Sequence, residues 1–184
     1  MIYFKWLLFF IINILTNYLI NFPLAPLVVL FADKDGWLPR WLWWFQTPDN
    51  SLDGDTGWRT QNMPYRPENG RYHRWVNRFH WLWRNKLYGF GDSALSVKRP
   101  YQCRVLAWGD KLTSDQPNGH SGCYKIKWMD GNACKAFQIY YVRRYKHWPN
   151  QCIRIIIGWK LWTASDKASF GASFSPWKTF KTNV

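Results

Sequence analysis

The sequence predicts an α+β protein with an N-terminal membrane helix kinked at prolines, a basic amphipathic helix, and a C-terminal five-stranded antiparallel sheet. Three observations predict it. Trp6 to Ala32 contains no charged side chain. Arg71 to Tyr88 repeats its apolar residues at helical spacing, and from Tyr101 onward the apolar period drops to two. The helical segments precede the strands instead of alternating with them, which favours α+β over α/β. Three consecutive blocks follow: a membrane anchor (1–33), an interfacial aromatic segment with an acidic loop (34–60), and a basic, tryptophan-rich α+β domain (61–184).

Trp6 to Ala32 as a straight helix measures roughly 40 Å, enough for a hydrocarbon core of about 30 Å. Asn13, Asn17 and Asn21 recur at i, i+4 and i+8 with Thr16 beside them, so their amides form one stripe. In lipid such a stripe favours a partner helix and hence self-association; otherwise it meets water or the chain's own domain. Pro23 and Pro26 remove backbone donors and push the preceding residues out of α geometry. The segment is therefore a kinked span or a hairpin dipping into one leaflet, since residues 6–21 alone reach only about 24 Å. A cleaved signal and a buried soluble helix are the alternatives. The run is long for a signal h-region and lacks a good A-x-A site.

The chain has 25 Lys and Arg against 11 Asp and Glu, a net charge of +14, and before Asp33 the only charged side chain is Lys5. The positive-inside tendency keeps the basic C-terminal part in the cytoplasm. Fifteen Trp, ten Tyr and twelve Phe make a fifth of the chain aromatic. Rings interleaved with cations suit anionic headgroups, and they also suit single-stranded nucleic acid. Cys103, Cys123, Cys134 and Cys152 form no C-x-x-C pair, which argues against zinc. In the cytoplasm they are reduced strand residues; in the periplasm two bridges would be open to them.

After the anchor, Gly36 and Pro39 punctuate a crowded aromatic run. Trp37, Trp41, Trp44 and Phe45 are candidates for an interfacial belt, or for part of a soluble core. Thr47 to Trp58 then combines the turn signals Pro48-Asp49-Asn50 and Asp53-Gly54. Asp49, Ser51, Asp53, Gly54 and Asp55 match the start of an EF-hand loop and are candidate divalent-cation ligands. The twelfth position is Thr60 where a bidentate glutamate is needed, and Glu68 is the only glutamate in the chain. The competing reading is a rigid Asx-turn loop salt-bridged to the basic domain.

Leu38 to Asp55 spells L-P-R-W-L-x-W-F-x-T-P-D-N-x-L-D-G-D, Trp83 to Phe90 spells W-R-N-x-x-Y-G-F, and Gly158 to Leu161 spells G-W-K-L. With the apolar N-terminus, this resembles a family of small uncharacterised tailed-bacteriophage proteins. The resemblance covers most of the chain and implies a phage origin and a host-membrane setting. It brings no activity and no functional residues.

Gln61 to Gly70 reads as a loop around Pro64, Pro67 and Asn69. The following helix places Tyr72, Trp75, Val76, Phe79, Leu82 and Trp83 on one face, with Arg71, Arg74, Arg78, Arg84 and Lys86 flanking or opposing them. These cations are candidates for anionic lipid, for nucleic acid, or for a merely solvated face. Gly89 and Gly91 close the helix. Strands are expected near 101–109, 123–129, 135–145, 152–162 and 169–175, with a hairpin turn at Asp130-Gly131 and a late loop at Thr163–Lys167. Tyr124, Ile126 and Trp128 point one way and Lys125 and Lys127 the other. Ile153, Ile155, Ile157, Trp159 and Leu161 are expected to line the buried face, with Arg154 and Lys160 opposite.

The chain lacks G-x-S-x-G, a Walker loop, H-E-x-x-H and paired glutamates. The expectation is a phage-encoded, non-enzymatic protein of the host inner membrane that contacts anionic lipid and a host or phage membrane protein. A membrane-tethered nucleic-acid-binding or virion protein and a small metal-dependent enzyme at Asp49–Asp55 are the alternatives. No organic cofactor is expected.

Overall fold

The computed structural model describes residues 1–62, 70–162, 164 and 166–180. The loop expected around Pro64, Pro67 and Asn69 lies outside the described residues, as do Thr163 and Ser165. The architecture is α+β, with an apolar N-terminal helix and a five-stranded antiparallel sheet towards the C-terminus. The chain divides into two compact units, Leu8–Ala94 and Met1–Leu7 with Leu95–Val184. These units cut across the three consecutive blocks drawn from the sequence.

In the N-terminal helix, α1 (Ile2–Thr16) passes into a π-helical turn (Asn17–Asn21), then α2 (Phe22–Val28) and a 3-10 turn (Val29–Phe31). The backbone stays helical from Ile2 to Phe31, 30 residues, so the hairpin alternative does not hold. The π turn explains how the prolines are absorbed. A proline ring collides with the carbonyl four residues back, here that of Leu19 for Pro23. Widening the preceding turn, with the Phe22 N–H donating to Asn17 O, relieves that collision.

The rest of the helical unit is a 3-10 helix at Arg40–Phe45, α3 (Thr56–Asn62), α4 (Gly70–Asn85) and α5 (Tyr88–Ala94). Its core gathers Ala25, Val28 and Val29 from the end of the N-terminal helix, Leu42 and Phe45, Leu52, Phe79, Trp81 and Leu82 of α4, and Leu87. Burying a side chain of this size contributes about 1.5–3 kcal/mol. The apolar face expected for α4 packs through Phe79 and Leu82, with Trp75, Val76 and Trp83 half-buried, but Tyr72 is 75% exposed and Trp81, outside the expected set, is buried. Its end differs from the glycine stop expected: Lys86 and Leu87 take left-handed backbone (φ 36° and 49°), and Gly89 lies inside α5. Gly89 serves a close approach instead. A Cβ there would sit 2.6 Å from Trp43 O and 2.8 Å from Trp44 Cα.

In the sheet unit, β1 (Val97–Lys98) pairs with β6 (Lys167–Ala168). The main sheet runs β2 (Cys103–Gly109), β3 (Gly122–Asp130), β4 (Ala133–Arg144), β5 (Gln151–Trp159) and β7 (Phe170–Thr179) in that order, all antiparallel. Gly131 at φ 55° and Asn132 make the tight turn between Asp130 and Ala133. Ile126, Trp128, Ala136, Gln138, Tyr140, Val142, Cys152 and Ile156 line the buried face.

One sheet expectation holds only in part: Trp159 and Leu161 are buried as expected, but Ile153, Ile155 and Ile157 are only half-buried. Ile155 sits in register with Tyr141 and Phe174, and Ile157 with Ile139 and Ala172, on the half-buried face. Arg154 lies on the core side instead. Four isoleucines in five positions of β5 make both faces apolar, so alternation could not choose between them. Asp115 decides it: fully buried, it accepts from Arg154 Nη1 at 3.1 Å and from the Tyr140 hydroxyl at 3.0 Å. A buried carboxylate requires such partners. All four cysteines are free thiols.

Candidate functional site

The acidic loop and the basic helix form one node. On α4, Arg74 and Arg78 are four apart and so lie on one face. Arg78 donates from Nε to Asp53 Oδ1 at 2.7 Å and from Nη2 to Oδ2 at 3.1 Å, while Arg74 Nη2 reaches Oδ2 at 3.0 Å. The same guanidiniums continue to the backbone of the preceding loop, Arg78 to Asp33 O at 3.2 Å and Arg74 to Lys34 O at 2.8 Å. Burial alone would raise the Asp53 carboxyl, but the hydrogen bonds and charges of Arg78 and Arg74 outweigh it and hold the group below its ordinary 3.8.

The turn chemistry of the block serves this node. Buried Gln46 accepts the Leu38 N–H at 2.9 Å and donates to Asn50 O at 3.1 Å, and the Leu52 N–H bonds Gly36 O at 2.8 Å. Asp55 caps α3 by accepting the Trp58 N–H at 2.7 Å. Arg84 lies over the rings of Trp58 and Trp81, 5.4 and 5.2 Å from their centroids.

Two expectations are corrected by this geometry. Asp49, Ser51, Asp53 and Asp55 do not converge as cation ligands, because Asp53 is spent on two arginines and Asp55 on a helix cap. Among the described residues, no group of three His, Cys, Asp or Glu could hold a metal ion. The cations of α4 are likewise not a free row for lipid or nucleic acid. Arg78 is buried, Arg74 shares Asp53, and Arg84 is engaged by rings and, at 3.8 Å, by Asp55. Arg71 and Lys86 are exposed.

The other feature that stands out is apolar and exposed. Along the N-terminal helix, Phe4, Leu8, Ile11, Leu15, Tyr18 and Leu19 are exposed at three- and four-residue intervals, and the row continues through Phe22, Leu27 and Leu30. Tyr18 is 69% exposed, Leu19 70% and Leu30 66%. Only 22% of the most apolar stretch of this helix is buried, which sets it apart from a core helix. The amides lie away from that row. Asn17 Nδ2 donates to Asn13 Oδ1 at 2.6 Å, and buried Asn21 donates to Leu82 O at 3.1 Å. The two Nδ2 donors are thus used inside the chain, while Asn17 Oδ1 and Asn21 Oδ1 are buried without a hydrogen-bond partner among the described residues.

At the end of the helix Phe31 packs edge-on against Trp41, and Trp37, Trp41 and Trp43 are exposed. Phe45 is a correction: at 1% exposure it is core, and Trp44 is half-buried. A 3-10 helix repeats every three residues, so Leu42 and Phe45 face inward together and Trp43 is left outside. A period of three in L-W-W-F was the available signal for Trp43. Trp75 and Trp83 were missed as binding partners of the proline segment, and no local pattern reveals them. Trp83 Nε1 donates to Phe22 O at 3.0 Å and Trp75 Nε1 to Pro26 O at 2.8 Å.

These features define an α+β protein with, among the described residues, one helix long and apolar enough to cross a membrane. The chain belongs to the family of unknown function DUF7338, matched over residues 1–182. No curated protein and no solved structure matches it.

Proposed function

We propose that this is a membrane-associated, non-enzymatic protein held by its N-terminal helix, working by contact with another membrane protein. The observation that carries the reading is the uncharged, exposed apolar row from Phe4 to Leu30, far larger than the scattered apolar residues of a water-soluble surface. The excess of Lys and Arg after residue 33 supports a cytoplasmic sheet unit at an inner membrane. The resemblance to tailed-phage proteins supports a phage-encoded chain acting on the host envelope.

The test is washing membranes that carry the full chain with high salt and then with alkaline carbonate. Retention through both washes is expected, because the contact is apolar. Release by salt alone would mean that the basic residues, not the helix, hold the protein, and would contradict the proposal.

A further inference from the structure

We infer that β2 is a docking edge for a second copy of this chain, the two β2 strands pairing antiparallel about a two-fold axis at Leu106. The contact lies wholly within the sheet unit and goes beyond the membrane reading, on which it does not depend. A strand at the end of a sheet leaves half its backbone donors and acceptors with no strand to bond, and another chain can add to it there. Proteins blunt such edges with proline, charge or a covering group. The two edges of this sheet are unlike in that respect. Along β7, Pro176 has no N–H, the Trp6 indole donates to Gly171 O at 3.2 Å, and the Tyr145 hydroxyl donates to Pro176 O. Along β2 there is no proline, Arg104 is the one charged residue, and none of the seven residues is buried. Among the described residues the backbone bonds of β2 go to β3 alone.

Alternation along the strand shows which backbone groups are open. The Asp110 N–H donates to Cys123 O, and β2 pairs with β3 without a register shift, so Arg104, Leu106 and Trp108 turn their backbone groups to β3. Cys103, Val105 and Ala107 turn theirs outward. A second β2 has to meet these open groups with its own, which restricts a two-fold axis to residue positions. Only an axis at Leu106 overlaps all seven residues of the strand. There Val105 and Ala107 of each copy exchange N–H···O=C bonds with Ala107 and Val105 of the other. The side chains fit the same register. Leu106 meets itself, and Arg104 of one copy lies directly across from Trp108 of the other at the close, non-hydrogen-bonded spacing. Trp108 is 47% exposed, and Lys127 Nζ lies 5.6 Å from its ring centroid, so the ring already attracts a cation and keeps much of its surface open for a guanidinium. Val105, 46% exposed, meets Ala107. No like charges stand directly opposite each other, which a basic chain pairing with itself requires.

The test is the mass of the purified full chain in detergent, measured by light scattering. A dimer is expected. Ala107→Pro removes an outward N–H and leaves the bonds to β3 in place, so it should give a monomer with the circular dichroism of the wild type. Arg104→Glu leaves the backbone untouched and should raise the dimer dissociation constant by about tenfold. If the proline variant loses the wild-type circular dichroism, the charge variant decides alone. Leu106→Cys should form a disulfide between the two substituted positions under mild oxidation, identified by mass spectrometry, because the axis brings that position against itself. A monomeric wild-type chain overturns the inference. So does a dimer that neither Ala107→Pro nor Arg104→Glu weakens and that forms no link through position 106, because such a dimer uses another surface.

Discussion

At the scale of single residues, Asp53 and Gly89 hold the helical unit together for different physical reasons. Removing one partner of a buried ion pair strands the other charge. Arg78→Ala leaves Asp53 with Arg74 alone, and a loss of about 3 kcal/mol is expected in a denaturant titration. Arg78→Lys should recover little of it, because lysine cannot make the paired Nε and Nη2 contacts. The pH dependence has a definite sign. The folded carboxyl of Asp53 is depressed, so its stabilisation is fully present above the ordinary 3.8 and fades as pH falls through the lower folded value. Stability of the wild type should drop below about pH 4, and the Asp53→Asn variant should show a shallower acid dependence. Gly89 is a matter of space. A methyl group there meets backbone at 2.6 Å, whereas Gly91 has nothing within 4 Å of its position. Gly89→Ala should cost about 1–3 kcal/mol by thermal melt, and Gly91→Ala should be nearly neutral or stabilising.

At the scale of elements, the proline-bearing helix and α4 form one hydrogen-bonded pair. Pro26 has no N–H to offer Phe22 O four residues back, and Trp83 supplies the missing donor. A double-mutant cycle tests this. Trp83→Phe alone should destabilise, and in a Pro26→Ala background it should cost about 1 kcal/mol less, because the new amide restores the bond within the helix. Independent additive effects would contradict the assignment. Legibility at this scale followed the strength of the pattern. The apolar face of α4 was plain because Trp75, Phe79 and Leu82 keep helical spacing over several turns, and the β3–β4 turn was plain because Gly131 marks it. The orientation of β5 was not, since Ile153, Ile155, Ile156 and Ile157 offer both faces. Only the distant Asp115 fixes Arg154 inward, and no local window contains that pairing. The half EF-hand pattern misled for a related reason: Asp53 has its ligand sites taken by arginines more than twenty positions away.

At the scale of the whole molecule, the fold class was legible because three segments of different period follow one another without mixing. The division into units was not, because Tyr3 and Trp6 belong with strands more than a hundred residues later. The sequence blocks Leu38–Asp55 and Trp83–Phe90 resolve into one piece of architecture, with Gly89 seated on the 3-10 helix of Arg40–Phe45. What sets this chain apart from an ordinary water-soluble domain is the side of the N-terminal helix left bare. A lysine placed on that side, Leu15→Lys, should lower the membrane-bound fraction in a flotation gradient by about an order of magnitude or more, at about 2.5–3.5 kcal/mol for a central cation. The most direct measurement is photolabelling of the full chain in bilayers with a lipid-soluble diazirine, mapped residue by residue by mass spectrometry. Label is expected on Phe4, Ile11, Leu15, Leu19 and Leu30, and not on Asn13, Asn17 or Asn21. Equal labelling around the helix, or none along it, would contradict a one-sided lipid face.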